Sequence, residues 1–146
     1  MHKQVRVRFG ERSALVDVEL APLIEALWKR GIGTILSCQE NRPGWVWIAF
    51  ETVADAEAFL NLVTQYEEDC DSLYNRIRHG WDRNNRPVEG FWEYNVHPSD
   101  LSVEQWENSD GCLDEKPTGP VEFCFSLSVR FPVSDLQTVL NRVRGD

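Results

Sequence analysis

Val5, Val7 and Phe9 alternate with Gln4, Arg6 and Arg8, the two-residue period of a strand with one buried face. Gly10-Glu11 then turns the chain, and Ala14, Val16 and Val18 predict a second strand, so the two form a hairpin. From Leu20 the period lengthens. Leu20, Leu23, Ile24, Leu27 and Trp28 share one helical face, with Glu25 and Lys29 an exposed pair four residues apart. Pro22 suits a first helical turn and Gly31 the position just past the end.

Residues 32–38 read as a third strand, followed by the polar loop Gln39-Glu40-Asn41-Arg42-Pro43-Gly44 and a fourth strand at 45–50. Thr52, with Asp55 three residues on, opens a helix. Its stripe (Ala56, Phe59, Val63, Tyr66, Cys70, Leu73, Ile77) steps by three and four without a break. Continuous to His79, that helix would be about 40 Å long at ~1.5 Å per residue. Residues 81–90 are turn-rich, and 91–97 predict a fifth strand. Residues 98–120 hold six acids and no base before Lys116; they read as a long acidic loop, with a short helix capped at Ser102 and carrying Trp106. The clearest strand runs from Val121 to Phe131, where Val121, Phe123, Phe125, Leu127, Val129 and Phe131 alternate with more polar residues. Such one-sided patterning points to an antiparallel sheet. Ser134 and Gln137 are placed to cap a last helix that turns Leu136, Val139, Leu140 and Val143 inward.

The resulting fold class is α+β in a single domain over residues 1–146: a mostly antiparallel sheet with helices on one face. The run from residue 12 to 97 or 131 fits a ferredoxin-like, split βαβ core, with an added N-terminal strand and a C-terminal strand-helix. Composition agrees with one ordinary core, since 42% of the 146 residues are hydrophobic and 27% charged. The net charge of −9 repels phosphate backbones and anionic lipid, which argues against general nucleic-acid binding and against membrane association. No run of 18 apolar residues is present, and the residues after Met1 lack the apolar segment of an export signal. A cytoplasmic location with reduced thiols is therefore expected. The cysteines at 38, 70, 112 and 124 have no C-x-x-C spacing, so neither a zinc ribbon nor a dithiol redox pair is indicated.

Four places could carry chemistry. Cys38 closes a strand and opens into Gln39, Asn41 and Arg42; as a nucleophile it needs an imidazole or cation beside it, and His79, His97 and Arg42 are the candidate helpers. The plainer reading is a small buried side chain at a strand end. Trp45 and Trp47, with Trp92 and Tyr94, form a candidate aromatic face for a protein partner or self-association; the alternative is a second small core. His97, Asp100 and Glu104 offer a candidate metal site, against which stands a merely solvated acidic loop. A calcium loop is excluded nearby, because aligning Gly111 with the loop glycine puts Trp106 and Pro117 at ligand positions. Last, Arg76, Arg78, His79 and Arg83 could meet an anion, although charges at a helix end more commonly complement its dipole. Phosphate loops, G-x-S-x-G and H-E-x-x-H motifs are all missing.

The stretch Leu20-Ala21-Pro22-Leu23-Ile24-Glu25-Ala26-Leu27-Trp28, then Gly31-Ile32-Gly33-Thr34 and Ser37-Cys38-Gln39, then 44–50 and 54–63, resembles a group of uncharacterised bacterial proteins. The resemblance implies a recurring module and no reaction. Thr34-x-x-Ser37-Cys38 is also similar to an element of a tRNA wybutosine-synthesis methyltransferase family, but Gln39-Glu40-Asn41 replaces the Ser-Gly-Arg that follows there. The leading expectation is thus an interaction or accessory protein that uses no cofactor, with a small enzyme or ligand-binding domain centred on Cys38 as the rival.

Overall fold

The computed structural model describes residues 2–64, 72–82 and 90–145. A hairpin of β1 (Gln4–Phe9) and β2 (Arg12–Asp17) precedes α1 (Ala21–Lys29). The turn of the hairpin uses Gly10 at φ 61, a conformation that a side chain disfavours. Next come β3 (Thr34–Arg42) and β4 (Trp45–Phe50), then α2 (Val53–Thr64) and α3 (Ser72–Arg78), the latter tightening into a 3-10 turn at His79–Asp82. The chain continues through β5 (Glu93–Asp100), β6 (Val103–Glu107), β7 (Leu113–Pro117) and β8 (Phe123–Pro132), and ends its regular structure in α4 (Leu136–Arg144).

The protein is α+β with antiparallel sheets and four α-helices among the described residues, as the sequence pattern indicates. Its main sheet has the order β3-β4-β8-β5, every neighbour antiparallel. Since β8 opposes both β4 and β5, those two run in the same direction, and the chain through α2 and α3 crosses between them. The crossover unit therefore begins at β4 and not at residue 12. β2 lies outside the main sheet, paired only with β1, and β6 and β7 make a third small sheet. Alternation along one strand specifies which face is buried but not which neighbour it pairs with, so this topology was out of its reach.

The core lies between the helices and one face of the main sheet. Val46, Ile48 and Phe50 from β4 and Leu127, Val129 and Phe131 from β8 meet Leu23, Ile24 and Leu27 of α1, Phe59 and Val63 of α2, and Val139 and Val143 of α4. Trp92 is fully buried at its centre, its ring 4.7 Å from that of Phe131 and 6.1 Å from that of Phe59. The indole N–H is not wasted there: it donates to Asp135 Oδ2 at 3.0 Å. The same carboxylate accepts from Arg76 Nη1 and Nη2, at 2.6 and 2.8 Å, so a polar knot ties α3 to the entrance of α4 beneath the core.

Several expectations change. The stripe of the second helix is met at Ala56, Phe59 and Val63 in α2 and at Leu73 and Ile77 in α3, all buried; Tyr66 and Cys70 lie outside the described residues. The acidic stretch is a hairpin and not a loop with a helix. Ser102 donates its hydroxyl to Asp100 in place of capping, and Asn108 Oδ1 accepts the Asp110 and Cys112 amides, folding the turn in which Gly111 takes φ 78. The last helix has no side-chain cap at Ser134; a 3-10 turn over Val133–Asp135 leads into it.

Replacing Asp135 by Ala takes the carboxylate from Arg76, which keeps the Gly90 carbonyl, and leaves the Trp92 N–H without its acceptor. We expect a loss of about 3 kcal/mol in unfolding free energy by urea titration, the scale for one partner removed from a buried ion pair. A loss under about 1 kcal/mol would show that the knot contributes little.

Candidate functional site

Cys38 lies opposite Trp47 in the β3–β4 register, which puts it on the sheet face turned away from the core. There it meets the hairpin. Asp17 closes β2 directly opposite Gln4 of β1, and His2 lies just ahead of that pair. Val16 and Asp17 are consecutive yet both buried, each 4% exposed. A strand end can bury neighbours of opposite facing only if both sides are covered: Val16 joins the core, while Asp17 is enclosed by β3, Gln4 and His2.

A carboxylate in such a place must have its oxygens satisfied. Asp17 Oδ2 accepts the Gln39 backbone N–H at 2.9 Å and lies 3.1 Å from His2 Nδ1, and Oδ1 accepts Gln4 Nε2 at 3.3 Å. Burial alone would raise its pKa, but the Gln39 amide, the His2 and Gln4 hydrogen bonds and the positive charge available to His2 outweigh burial and hold the carboxyl below its ordinary value of 3.8. Gln39 grips twice, since its side-chain oxygen also accepts the Glu19 amide at 3.2 Å. Cys38 Sγ, a free thiol, stands 3.8 Å from His2 Nδ1.

The three side chains therefore converge. His2 Nδ1, an Asp17 carboxylate oxygen and Cys38 Sγ all lie within 4.8 Å of one another. The arrangement is not that of a catalytic relay. In a relay the imidazole takes the nucleophile's proton on one nitrogen and offers N–H to the carboxylate from the other. Here thiol and carboxylate face the same Nδ1, which cannot accept from one while donating to the other.

The other expected residues are elsewhere. Arg42 pairs with Glu93 at 2.9 Å and stacks over Trp45 at 4.4 Å, so it does not assist Cys38. His97 shares a 2.8 Å hydrogen bond with the Ser128 hydroxyl. His79 lines a cleft of about 600 Å³ with Leu60, Tyr74, Ile77, Arg78 and Leu127. His97, Asp100 and Glu104 do not bring ligand atoms together; among the described residues the convergent set is His2, Asp17 and Cys38. Asp100 is occupied by Ser102, whose hydroxyl and amide hold its carboxyl below the ordinary range.

The aromatic face also divides. Trp45 and Trp47 are half-buried on the outer side, but Trp92 is core, and Tyr94 donates its hydroxyl to the Ile77 carbonyl at 2.8 Å. Burial pushes the Tyr94 phenol far above its usual value. Trp92 is therefore withdrawn from the surface, and Tyr94 is half-buried against the core. The side chain of Asn41 lies outside the described residues, as does Arg83. Cys112 and Cys124 are exposed and free.

His2 and Asp17 escape a reading of the sequence for a definite reason. Asp17 falls on the same side of β2 as Ser13 and Leu15, the side that alternation assigns to solvent, and His2 precedes any periodic pattern. Only the docking of the hairpin on β3 covers them.

No family model matches this chain, and no solved structure does. It is 28% identical over 134 residues to an uncharacterized protein of Acanthamoeba polyphaga mimivirus, an alignment taking in 87% of this chain and 60% of that protein. The chain thus spans about three-fifths of the length of the relative it matches, and that relative is viral where the motif resemblance pointed to bacteria. Among the described residues no helix is long and apolar enough to cross a membrane.

Asp17 stabilises the fold only while ionised. Its folded pKa is depressed, so the contribution is complete above the unfolded value and is lost as pH falls through the folded one. Asp17→Asn should cost about 1–3 kcal/mol at pH 7, because the new amide turns a donor toward Gln39 N–H or Gln4 Nε2. In urea titrations the gap between wild type and variant should stay constant above about pH 5 and narrow below about pH 4. A gap independent of pH down to about 2 would contradict the assignment.

Proposed function

We propose that His2, Asp17 and Cys38 bind a divalent transition metal of the zinc class, making this a small metal-binding accessory domain. The observation that carries the reading is the convergence of three donors of different chemistry, from three separate stretches of backbone, within 4.8 Å. Tetrahedral zinc with bonds of about 2.0 Å to nitrogen, 2.1 Å to oxygen and 2.3 Å to sulfur sets ligand atoms about 3.4 to 3.6 Å apart. The separations of 3.1 Å for nitrogen and oxygen and 3.8 Å for nitrogen and sulfur are near those values, and the oxygen and sulfur, within 4.8 Å, close on each other when the metal binds. A thiolate among the donors disfavours calcium and magnesium, which take oxygen.

The surroundings suit this role. Gln4 and the Gln39 amide fix the carboxylate from behind, as outer hydrogen bonds do around metal ligands. On binding, the metal would replace the proton shared between His2 and Asp17 and displace that of the Cys38 thiol, so affinity weakens as pH is lowered. Three protein ligands leave one position for water or a further donor. The metal's immediate physical effect is to pin the β1–β2 hairpin to β3. The sheet order β3-β4-β8-β5, with α2 and α3 crossing between β4 and β5, also supports a ferredoxin-like reading of the fold, its split unit beginning at β4.

Metal analysis of protein purified without chelator, followed by zinc titration of metal-free protein, tests the proposal. One zinc per chain is expected, with melting raised by the equivalent of about 2.7 kcal/mol at free zinc near 100 times Kd. Cys38→Ser and His2→Ala should each abolish most of that rise. Metal-free protein whose melting is unchanged by zinc would exclude the site, and rapid alkylation of Cys38 in that protein would return the cysteine to consideration as a nucleophile.

A further inference from the structure

The apolar face of β8 continues beyond the helices that cover it. Phe123, Phe125, Leu127, Val129 and Phe131 point to one side of the strand; the last three are core, whereas Phe125 is 53% and Phe123 60% exposed. In register on β5, Val96 faces Leu127 and Pro98 faces Phe125, and Val96 is 60% exposed as well. Val121, 66% exposed, precedes the strand on the same alternation. Among the described residues the helical cover stops at Leu127 while the β5–β8 ribbon goes on, with the two phenylalanine rings 6.4 Å apart on its open side. This is an extension of the core face, not a scatter of surface residues.

Two properties select the occupant. From Val121 to Leu127 the row is about 20 Å long at ~3.3 Å per residue, the length of a helix of about thirteen residues at ~1.5 Å each. The ribbon and the hairpin it carries are also strongly acidic. Between residues 98 and 126 there are seven acids against one base, Lys116, which is −6 of the chain's −9. A second copy would bring the same charge against itself, so self-association through this face is opposed. We propose that the open face of the β5–β8 ribbon binds a basic amphipathic helix of a partner protein, its apolar stripe on Phe123, Phe125 and Val96 and its lysines or arginines toward the acidic rim.

A labelled leucine–lysine amphipathic helix of about fourteen residues serves as probe, with a leucine–glutamate helix as control, both read by fluorescence anisotropy against the full chain. The leucine–lysine helix should bind, more weakly as salt rises, and F123S/F125S should weaken it by about tenfold or more while leaving the melting temperature unchanged, since both rings are exposed. Should that variant melt early, V96S on the facing strand provides the same comparison. Absence of binding overturns the proposal, as does binding indifferent to these substitutions, which would be charge attraction alone. Equal binding of the leucine–glutamate helix would reduce the face to a general apolar surface. A wild-type dimer in light scattering that F123S/F125S dissociates would assign the face to a second copy.

Discussion

A buried carboxylate fixes the open end of the N-terminal hairpin against β3, while Val7 and Val16 pack the hairpin into the core. Asp17 is 4% exposed and ionised, and it survives there because its oxygens are met by a backbone amide of β3, a glutamine of β1 and the imidazole of His2. Burying a charge is costly unless it is paired and hydrogen-bonded. The arrangement thus permits little drift: each partner comes from a different stretch of chain, and moving any one away leaves the charge exposed to the penalty. Cys38 is brought within reach of His2 by this docking. The candidate site is a by-product of how the hairpin is anchored.

The same economy appears in the core. An indole N–H at the centre of an apolar stack needs an acceptor, and Asp135 supplies it while pairing with Arg76. One acid therefore fixes the ring, the end of α3 and the start of α4 together. Opposite it, the main sheet is longer than its helical cover. That mismatch leaves the β5–β8 ribbon carrying core-like side chains into solvent, with Asp100 in register beside Phe123.

What could be read from the sequence follows from which forces are local. The stripes of α1, α2 and α4 predicted buried residues well, because a helix shows one face to the core whatever its neighbours are. Val121 to Phe131 reads as one continuous buried face, yet only its second half is covered, since cover depends on where α2 and α4 end. Trp92 shares a strand face with Tyr94, a pattern equally suited to a partner surface and to a core, and the distant Asp135 that accepts its buried N–H leaves no local signal to decide between them. The β6–β7 hairpin was hidden by its acids, whose turn is made by Asn108 hydrogen-bonding its own backbone. The sequence places Cys38 at a strand end opening into a loop, but β3 runs on to Arg42 and Cys38 sits in mid-strand; its partners, 21 and 36 positions earlier, are joined to it by tertiary docking and leave no spacing to recognise.

His2, Asp17 and Cys38 form a metal site only if the three donors act together on one ion. Cobalt(II) added to the metal-free protein reads this directly, because a thiolate ligand gives a sulfur-to-cobalt charge-transfer band and a four-coordinate site gives intense visible bands. We predict both at one cobalt per chain, with the charge-transfer band absent in Cys38→Ser and the visible bands weakened in His2→Ala and Asp17→Asn. A spectrum of hexa-aqua cobalt alone, or a charge-transfer band that persists without Cys38, would contradict it.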